Sequence, residues 1–220
     1  MTDPGRRRGH PPGHGPLSTR APLIGLIGPI GCGKSTVAGF LAERGAAVID
    51  ADQLTRELMS PGTPVTGSIV ARFGESYRHQ DGSLDRAALG RLVFSNPDRL
   101  AELESVVHPA VENLERDAIR AADAGRPTAI ALEAIKLVEA GHANWCDEVW
   151  LVLCDPEVQL GRLIGREMAE ADARQRIAAQ VASLPIWRAA ATRTIRTDGS
   201  LADVSLAVNA ALDELLASHR

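Results

Sequence analysis

The segment that most constrains the fold of this chain is Gly28-Pro29-Ile30-Gly31-Cys32-Gly33-Lys34-Ser35. It matches the pattern G-x-x-x-x-G-K-[ST], in which glycines let backbone N–H groups curl around a polyphosphate, a lysine reaches the outer phosphates and a hydroxyl ligates magnesium. The apolar run at 23–27 predicts a buried strand before this loop, and residues 36–44 predict a helix after it. The positive end of the helix dipole then points at the same anion. The segment predicts a nucleotide phosphate cradle.

Short apolar runs alternate with helical patterns along the rest of the chain. They predict strands near 46–49, 128–132, 149–153 and 194–195, and an amphipathic closing helix at 201–216. Residues 65–125 carry helical patterns and turn signals without a strand of useful length. This order predicts an α/β fold of the P-loop NTPase type, with helices on both faces of a parallel sheet and an inserted helical subdomain.

Length, composition and charge limit the remaining possibilities. The 220 residues suffice for one such domain, expected over residues 22–220, and the Pro-, Gly- and Arg-rich residues 1–21 predict a disordered tail. A net charge of -4 gives no reason to expect a nucleic-acid partner. No apolar run is long enough to span a bilayer, and three cysteines without a CxxC pair favour a reducing, cytoplasmic compartment.

Two aspartates follow the second predicted strand, at the sheet edge where ligands of such folds bind. A kinase that phosphorylates a hydroxyl needs a carboxylate to orient and deprotonate it, and a second acid can hold magnesium through water. Asp50 and Asp52 are the candidates, although aspartate at this place also caps helices. We expect one of the two to cap the next helix and the other to act on the substrate.

Lysine usage singles out two positions. Of 24 basic residues only Lys34 and Lys136 are lysine, and the other 22 are arginine. A chain so biased toward arginine is expected to keep lysine where a compact ammonium is needed. Lys34 meets that expectation in the loop, and Lys136 is either a substrate contact at the sheet edge or a surface charge.

Several separated motifs, taken together, resemble the dephospho-CoA kinase family. They are Val48-Ile49-Asp50-Ala51-Asp52 after the loop, Pro61-Gly62-Thr63-Pro64, Asp81-Gly82-Ser83-Leu84-Asp85-Arg86-Ala87-Ala88-Leu89-Gly90-Arg91 and His108-Pro109. That family transfers the γ-phosphate of ATP to the ribose 3′-hydroxyl of dephospho-CoA, the last step of coenzyme A synthesis. The resemblance implies ATP and Mg²⁺, a substrate-binding insertion at about 60–125 and a lid at about 160–185. We expect a monomer or a weak homo-oligomer.

The resemblance also implies a role for each matching residue. Asp52 is the implied base, and Ser35 and Asp50 are the implied magnesium ligands. Lys34, Arg162 and Arg166 are implied to neutralise the transferring phosphate. The implied ATP-binding residues are Gly28, Pro29, Ile30, Gly31, Cys32, Gly33, Lys34, Ser35 and Thr36. The implied contacts of dephospho-CoA are Asp52, Arg86, Arg91, His108 and Glu139, to which Lys136 is added from its usage.

The chain departs from the family pattern at several places, of which two bear most on the site. Residues 133–139 begin with Glu133 and lack the usual proline, and Thr197 stands where an asparagine is usual near the adenine. Two alternatives stay open at this point: another small-metabolite P-loop kinase, or a divergent paralogue that binds a nucleotide without catalysis.

Overall fold

The computed structural model describes residue 17 and residues 19–219. The predicted tail over residues 1–21 lies almost entirely outside the described residues, so it stays a prediction. The chain forms two compact units, the first from Met1–Val48 and Arg126–Arg220 and the second from Ile49–Gly125. The helical unit begins earlier than the expected boundary near residue 60.

In the described part of the chain, five strands form one sheet: β1 (Leu23–Ile27), β2 (Ala47–Asp50), β3 (Ile130–Glu133), β4 (Glu148–Leu153) and β5 (Arg193–Arg196). Their order is β2-β3-β1-β4-β5. The pairings of β1 with β3, β1 with β4, and β4 with β5 are all parallel. Each strand lies within two residues of its predicted position, and the predicted parallel α/β sheet is confirmed.

The helices are α1 (Lys34–Glu43), α2 (Ala51–Leu58), α3 (Pro64–Phe73), α4 (Arg86–Phe94), α5 (Pro97–Ala124), α6 (Pro156–Ile164), α7 (Glu170–Val181), α8 (Leu184–Ala190) and α9 (Leu201–Ser218). Helices α1 and α9 cover one face of the sheet, where Leu41 and Leu212 pack with Trp150 in a buried core. On the other face, a Cβ added at Gly25 would lie 3.0 Å from Cys146 Sγ and from Leu137 Cδ2. Both faces are covered, as buried parallel strands require.

The second unit is helical and contains α2 to α5. Val65, Ile69, Leu89 and Val93 from α3 and α4 form its core with residues from α5 packed against it. Short polar side chains begin these helices, because they accept the backbone N–H groups that the first turn leaves without a partner. Thr63, Asp85 and Asn96 each cap a helix in this way.

Candidate active site

Glycine is required in the loop between β1 and α1 by both backbone conformation and space. Gly28, Gly31 and Gly33 have positive φ values of 145°, 78° and 86°, which side-chain-bearing residues rarely adopt. A Cβ added at Gly28 would also lie 2.2 Å from the carbonyl oxygen of Val152 on β4. The loop can therefore keep its shape only with glycine at these places.

The carbonyl groups of the loop are bound by the protein. Lys34 Nζ donates to the carbonyl of Gly28 at 3.0 Å and that of Pro29 at 3.4 Å. Gln159 Nε2 on α6 donates to the carbonyl of Ile30 at 2.7 Å. These contacts turn the negative ends of the peptide dipoles away from the concave side, which suits an anion.

The N–H groups of the loop fall into two sets. Those of Gly31, Gly33 and Ser35 make no hydrogen bond to any residue that the structure describes. The N–H of Ile30 donates to Gln180 Oε1 at 2.8 Å, and that of Cys32 donates to the carbonyl of Pro29 at 3.3 Å.

Only some of the backbone N–H groups of the loop are open to a phosphate. Pro29 has no N–H, and those of Ile30 and Cys32 serve the protein. None of these three residues therefore has a backbone N–H that is open to an anion in this structure, and their predicted contact with ATP stays a prediction. Gly31, Gly33 and Ser35 carry the backbone donors that remain for an anion.

A cavity of about 290 Å³ adjoins the loop and the start of α1. Arg162 and Arg166 both line it, at the end of α6 and in the turn that follows. The other lining residues are Gly33, Thr36, Gly165, Thr197, Gly199, Leu201 and Val204. The structure thus brings together the loop and both predicted lid arginines around one cavity. Two guanidinium groups therefore lie near the backbone N–H groups of the loop.

The two arginines differ in how they are held. Arg162 is half-buried and donates to the hydroxyl of Thr197 from Nη1 at 2.9 Å and to its carbonyl from Nη2. Arg166 is exposed, and its side chain makes no hydrogen bond or ion pair with a residue in the described part of the chain. The sequence identifies Thr197 only as a departure from the family pattern near the adenine, and it does not predict the contact of Thr197 with Arg162.

Two thiols meet beside the loop. Cys154, after β4, donates to Cys32 with 2.7 Å between the sulfurs. This hydrogen bond lowers the pKa of the Cys32 thiol against the opposing effect of burial, and the positive charges of Lys34 and Arg162 act in the same direction as the bond. The same bond and burial raise the pKa of Cys154. Cys32 therefore carries the more acidic thiol of the pair.

Within the helical unit, the two aspartates have different roles in local structure. Asp50 is the N-cap of α2, and its Oδ1 accepts the N–H of Gln53 at 2.8 Å. Asp52 lies in the first turn of α2, is partly buried, and does not cap the helix. The expected division into a capping and a non-capping aspartate is present, with Asp50 as the cap.

The remaining predicted substrate residues are mostly exposed. Arg86 and Arg91 lie on α4 and His108 lies on α5, all three at the surface of the helical unit. In the first unit, the exposed Lys136 has no ion-pair partner among the residues described. Glu139 accepts from Trp187 Nε1, with its two oxygens at 3.1 and 3.3 Å.

Sequence reasoning missed Gln159, Gln180 and Thr197 as residues that shape the site. A usable signal existed for Thr197, because it directly follows the predicted last strand and so lies at the edge where ligands bind. No comparable signal exists for the glutamines, since nothing in the spacing of α6 and α7 says that an amide meets Ile30.

The fold and the loop define a P-loop kinase. Among solved structures, a Thermus thermophilus protein matches with a TM-score of 0.72 at 34% identity, over 89% of this chain and 98% of the other. The shikimate kinase of Acinetobacter baumannii shares the fold, with a TM-score of 0.51 at 19% identity over 90% and 94% of the two chains.

The sequence profile of the dephospho-CoA kinase family matches residues 22–203, and this chain belongs to that family. The dephospho-CoA kinase of Symbiobacterium thermophilum is 47% identical over 86% of this chain and 79% of its own length. That of Streptomyces avermitilis is 42% identical over 87% of each chain. The sequence-based assignment to this family, and with it to the ATP-dependent kinases, is confirmed. No helix among the described residues is long and apolar enough to cross a membrane.

Proposed function

We propose that this chain moves the γ-phosphate of ATP to the ribose 3′-hydroxyl of dephospho-CoA, with Asp52 as the general base. The observation that carries the proposal is the loop with donors at Gly31, Gly33 and Ser35 next to a cavity lined by Arg162 and Arg166. Family membership supports the choice of the acceptor.

Chemically, the transfer is one displacement at phosphorus. The 3′-oxygen forms a bond to the γ-phosphorus, the bond from that phosphorus to the bridging oxygen of ADP breaks, and the hydroxyl proton moves to a carboxylate. Asp52 suits this role because Asp50 already caps α2, so the second carboxylate is not needed for the helix. Lys34, Arg162 and Arg166 provide the positive charge that offsets the oxygens of the moving phosphoryl group.

A divalent cation fits the residues that are present. The Ser35 hydroxyl is exposed at the start of α1 and makes no hydrogen bond to a described residue, so it remains open to an ion. No cluster of three or more His, Cys, Asp or Glu that could bind metal occurs in the described ranges. Mg²⁺ at phosphate-transfer sites is commonly held by one or two protein groups, phosphate oxygens and water. When bound, Mg²⁺ would neutralise charge on the β- and γ-phosphates. We assign Ser35 as its protein ligand, with Asp50 acting through water.

We assign Arg86, Arg91 and His108 to the binding of dephospho-CoA, since they present two cations and an imidazole at the surface of the helical unit. Lys136 and Glu139, which belong to the first unit, are assigned to the same substrate.

A cytoplasmic location agrees with three cysteines that carry free thiols. We expect a monomer or a weak homo-oligomer, which light scattering would measure.

The test is a substrate panel with purified protein, ATP and Mg²⁺. We expect phosphorylation of dephospho-CoA and little ADP release without an acceptor. Transfer to another nucleoside or sugar with none to dephospho-CoA would replace the proposal with a different small-metabolite kinase. ATP binding without transfer to any acceptor would indicate a non-catalytic relative.

A further inference from the structure

Thr197 is buried at the carboxyl end of β5 and connects three parts of the first unit. Its backbone N–H donates to the carbonyl of Leu153 on β4 at 2.9 Å. Its hydroxyl donates to the carbonyl of Cys32 in the phosphate loop at 2.8 Å and accepts from Arg162 Nη1 at 2.9 Å. Only 2% of the residue is exposed.

Arg162 is held at two points by this one residue. Nη1 donates to the hydroxyl oxygen of Thr197 and Nη2 donates to its carbonyl oxygen. A guanidinium presents its N–H groups in a rigid plane, so two contacts on one side fix the direction of the remaining donors. An arginine side chain that is not already held loses rotamer freedom when it binds a phosphate, and this loss opposes binding.

The held guanidinium lies against the phosphate loop. A Cβ added at Gly33 would lie 3.5 Å from Arg162 Nη1 and 3.5 Å from Thr197 Oγ1. All three residues line the cavity. The Gly33 N–H is among the donors that remain for an anion, so the tether puts a cation next to a phosphate-binding group.

We propose that Thr197 is a positioning residue that orients Arg162 for phosphoryl transfer by joining it to the carbonyl of Cys32. The inference rests on the proposed function in so far as Arg162 acts on the transferred phosphate. A cation that is fixed before the reaction stabilises developing charge without reorganising, whereas a mobile one must be ordered during the step. Thr197 itself does not touch the phosphate.

The direct test compares two substitutions that differ in the hydroxyl. Thr197→Val keeps the branched shape but removes both hydroxyl hydrogen bonds, and Thr197→Ser keeps them. We expect Thr197→Val to lower kcat about ten- to a hundredfold, the scale of a misplaced catalytic group, with a small change in KM for dephospho-CoA. Thr197→Ser should stay within about threefold of the wild type. Melting temperatures establish that each variant is folded.

A double-mutant cycle separates positioning from general support of the fold. If Thr197 acts through Arg162, Thr197→Val should cost little further activity once Arg162→Ala has removed the guanidinium. Wild-type kcat in Thr197→Val would overturn the proposal, and so would equal losses from Thr197→Val with and without Arg162. If Thr197→Val does not fold, Arg162→Lys tests the same link from the other side. It keeps the charge but cannot make the planar two-point contact, so kcat should still fall about tenfold or more, and wild-type kcat would again overturn the proposal.

A second readout distinguishes failure of this inference from failure of the proposed function. The ratio of ATP affinity to ADP affinity, measured by calorimetry without an acceptor, reports the γ-phosphate contact alone. We expect Arg162→Ala and Thr197→Val to lower this ratio to a similar extent, and Thr197→Ser to preserve it. If the wild type does not phosphorylate dephospho-CoA, the substrate assignment fails while this ratio still tests the link. A lowered ratio in Arg162→Ala together with an unchanged ratio in Thr197→Val would refute the link.

Discussion

The side-chain carbonyl of Gln180 accepts the backbone N–H of Ile30 at 2.8 Å. Gln180 lies in the last turn of α7, 150 positions from Ile30 in the sequence. Gln159 on α6 binds the carbonyl of the same residue. Two amides thus hold the backbone N–H and the backbone carbonyl of one residue of the phosphate loop, which keeps the loop in shape before a nucleotide arrives.

Gln180→Ala should weaken ATP binding. Loss of one partly buried hydrogen bond costs about 1 kcal/mol, which corresponds to about a fivefold rise in the Kd for ATP. Calorimetry measures this Kd. Gln175→Ala is the matched control, because Gln175 lies on the same helix and is exposed. Equal ATP affinity in the two variants would show that the hydrogen bond between Gln180 and Ile30 does not contribute to ATP binding.

Lys34→Ala should remove most phosphoryl transfer. Lys34 is buried, and its ammonium donates to the carbonyls of Gly28 and Pro29. Its loss takes away both that support and a positive charge at the proposed phosphate site. We expect a fall in kcat of about a hundred- to a thousandfold, measured by coupled release of ADP. Activity within a few-fold of the wild type would contradict the assignment of Lys34.

The two aspartates are separated by their asparagine variants. Asp52→Asn should keep ATP affinity and lower kcat about a hundredfold or more, the usual scale for removal of a general base. Asp50→Asn keeps the cap of α2, because asparagine caps as well as aspartate. It should leave the melting temperature unchanged and reduce activity only as far as Asp50 orders a magnesium-bound water.

Comparable kcat values in Asp52→Asn and the wild type would refute the assignment of the base. A melting temperature that falls in Asp50→Ala but not in Asp50→Asn would independently confirm the cap, since substitution of a cap by alanine costs about 1 kcal/mol.

Lys136→Ala tests the second lysine of the chain. Lys136 is exposed and has no ion-pair partner in the described ranges, so stability should hardly change. If its ammonium binds dephospho-CoA, KM for that substrate should rise while kcat stays constant, because a lost ground-state contact appears in binding. Lys136→Arg serves as the comparison that keeps the charge. Unchanged KM values for both substrates would show that Lys136 is a surface charge without a role in substrate binding.

The contact between Cys32 and Cys154 predicts a specific oxidation. Because the pKa of Cys32 lies below its ordinary value, more of this thiol is ionised near neutral pH, and the thiolate is the reactive form. Treatment with an azodicarboxamide oxidant should join the two sulfurs, with loss of two hydrogen atoms that reduce the oxidant to a hydrazine. Mass spectrometry of peptides detects the link.

Cys146→Ser is the control for this oxidation, because Cys146 lies away from the pair and its Sγ contacts the carbonyl of His142. That variant should still form the link, and Cys154→Ser should not. A link involving Cys146 in place of Cys32 would contradict the contact seen between the two sulfurs.

Local patterns determined most of the architecture. The glycines around Lys34, the short buried strands and the helix signals are properties of neighbouring residues, so the β1–loop–α1 unit and the parallel sheet could be predicted. The ends of helices and strands differed from the predicted ones by one or two residues. These ends depend on caps such as Asp50, and the surrounding backbone decides whether such a residue caps a helix.

Contacts between distant residues needed the tertiary structure. The pair of Arg162 with Thr197 spans 35 positions, that of Cys32 with Cys154 spans 122, and that of Ile30 with Gln180 spans 150. Periodicity tells which face of a strand or helix a side chain occupies, but not which polar atom of another element it meets. That is decided when the elements pack and every buried polar group must find a partner. For this reason the phosphate loop was evident in the sequence, whereas the side chains that hold its shape became evident only in the folded chain.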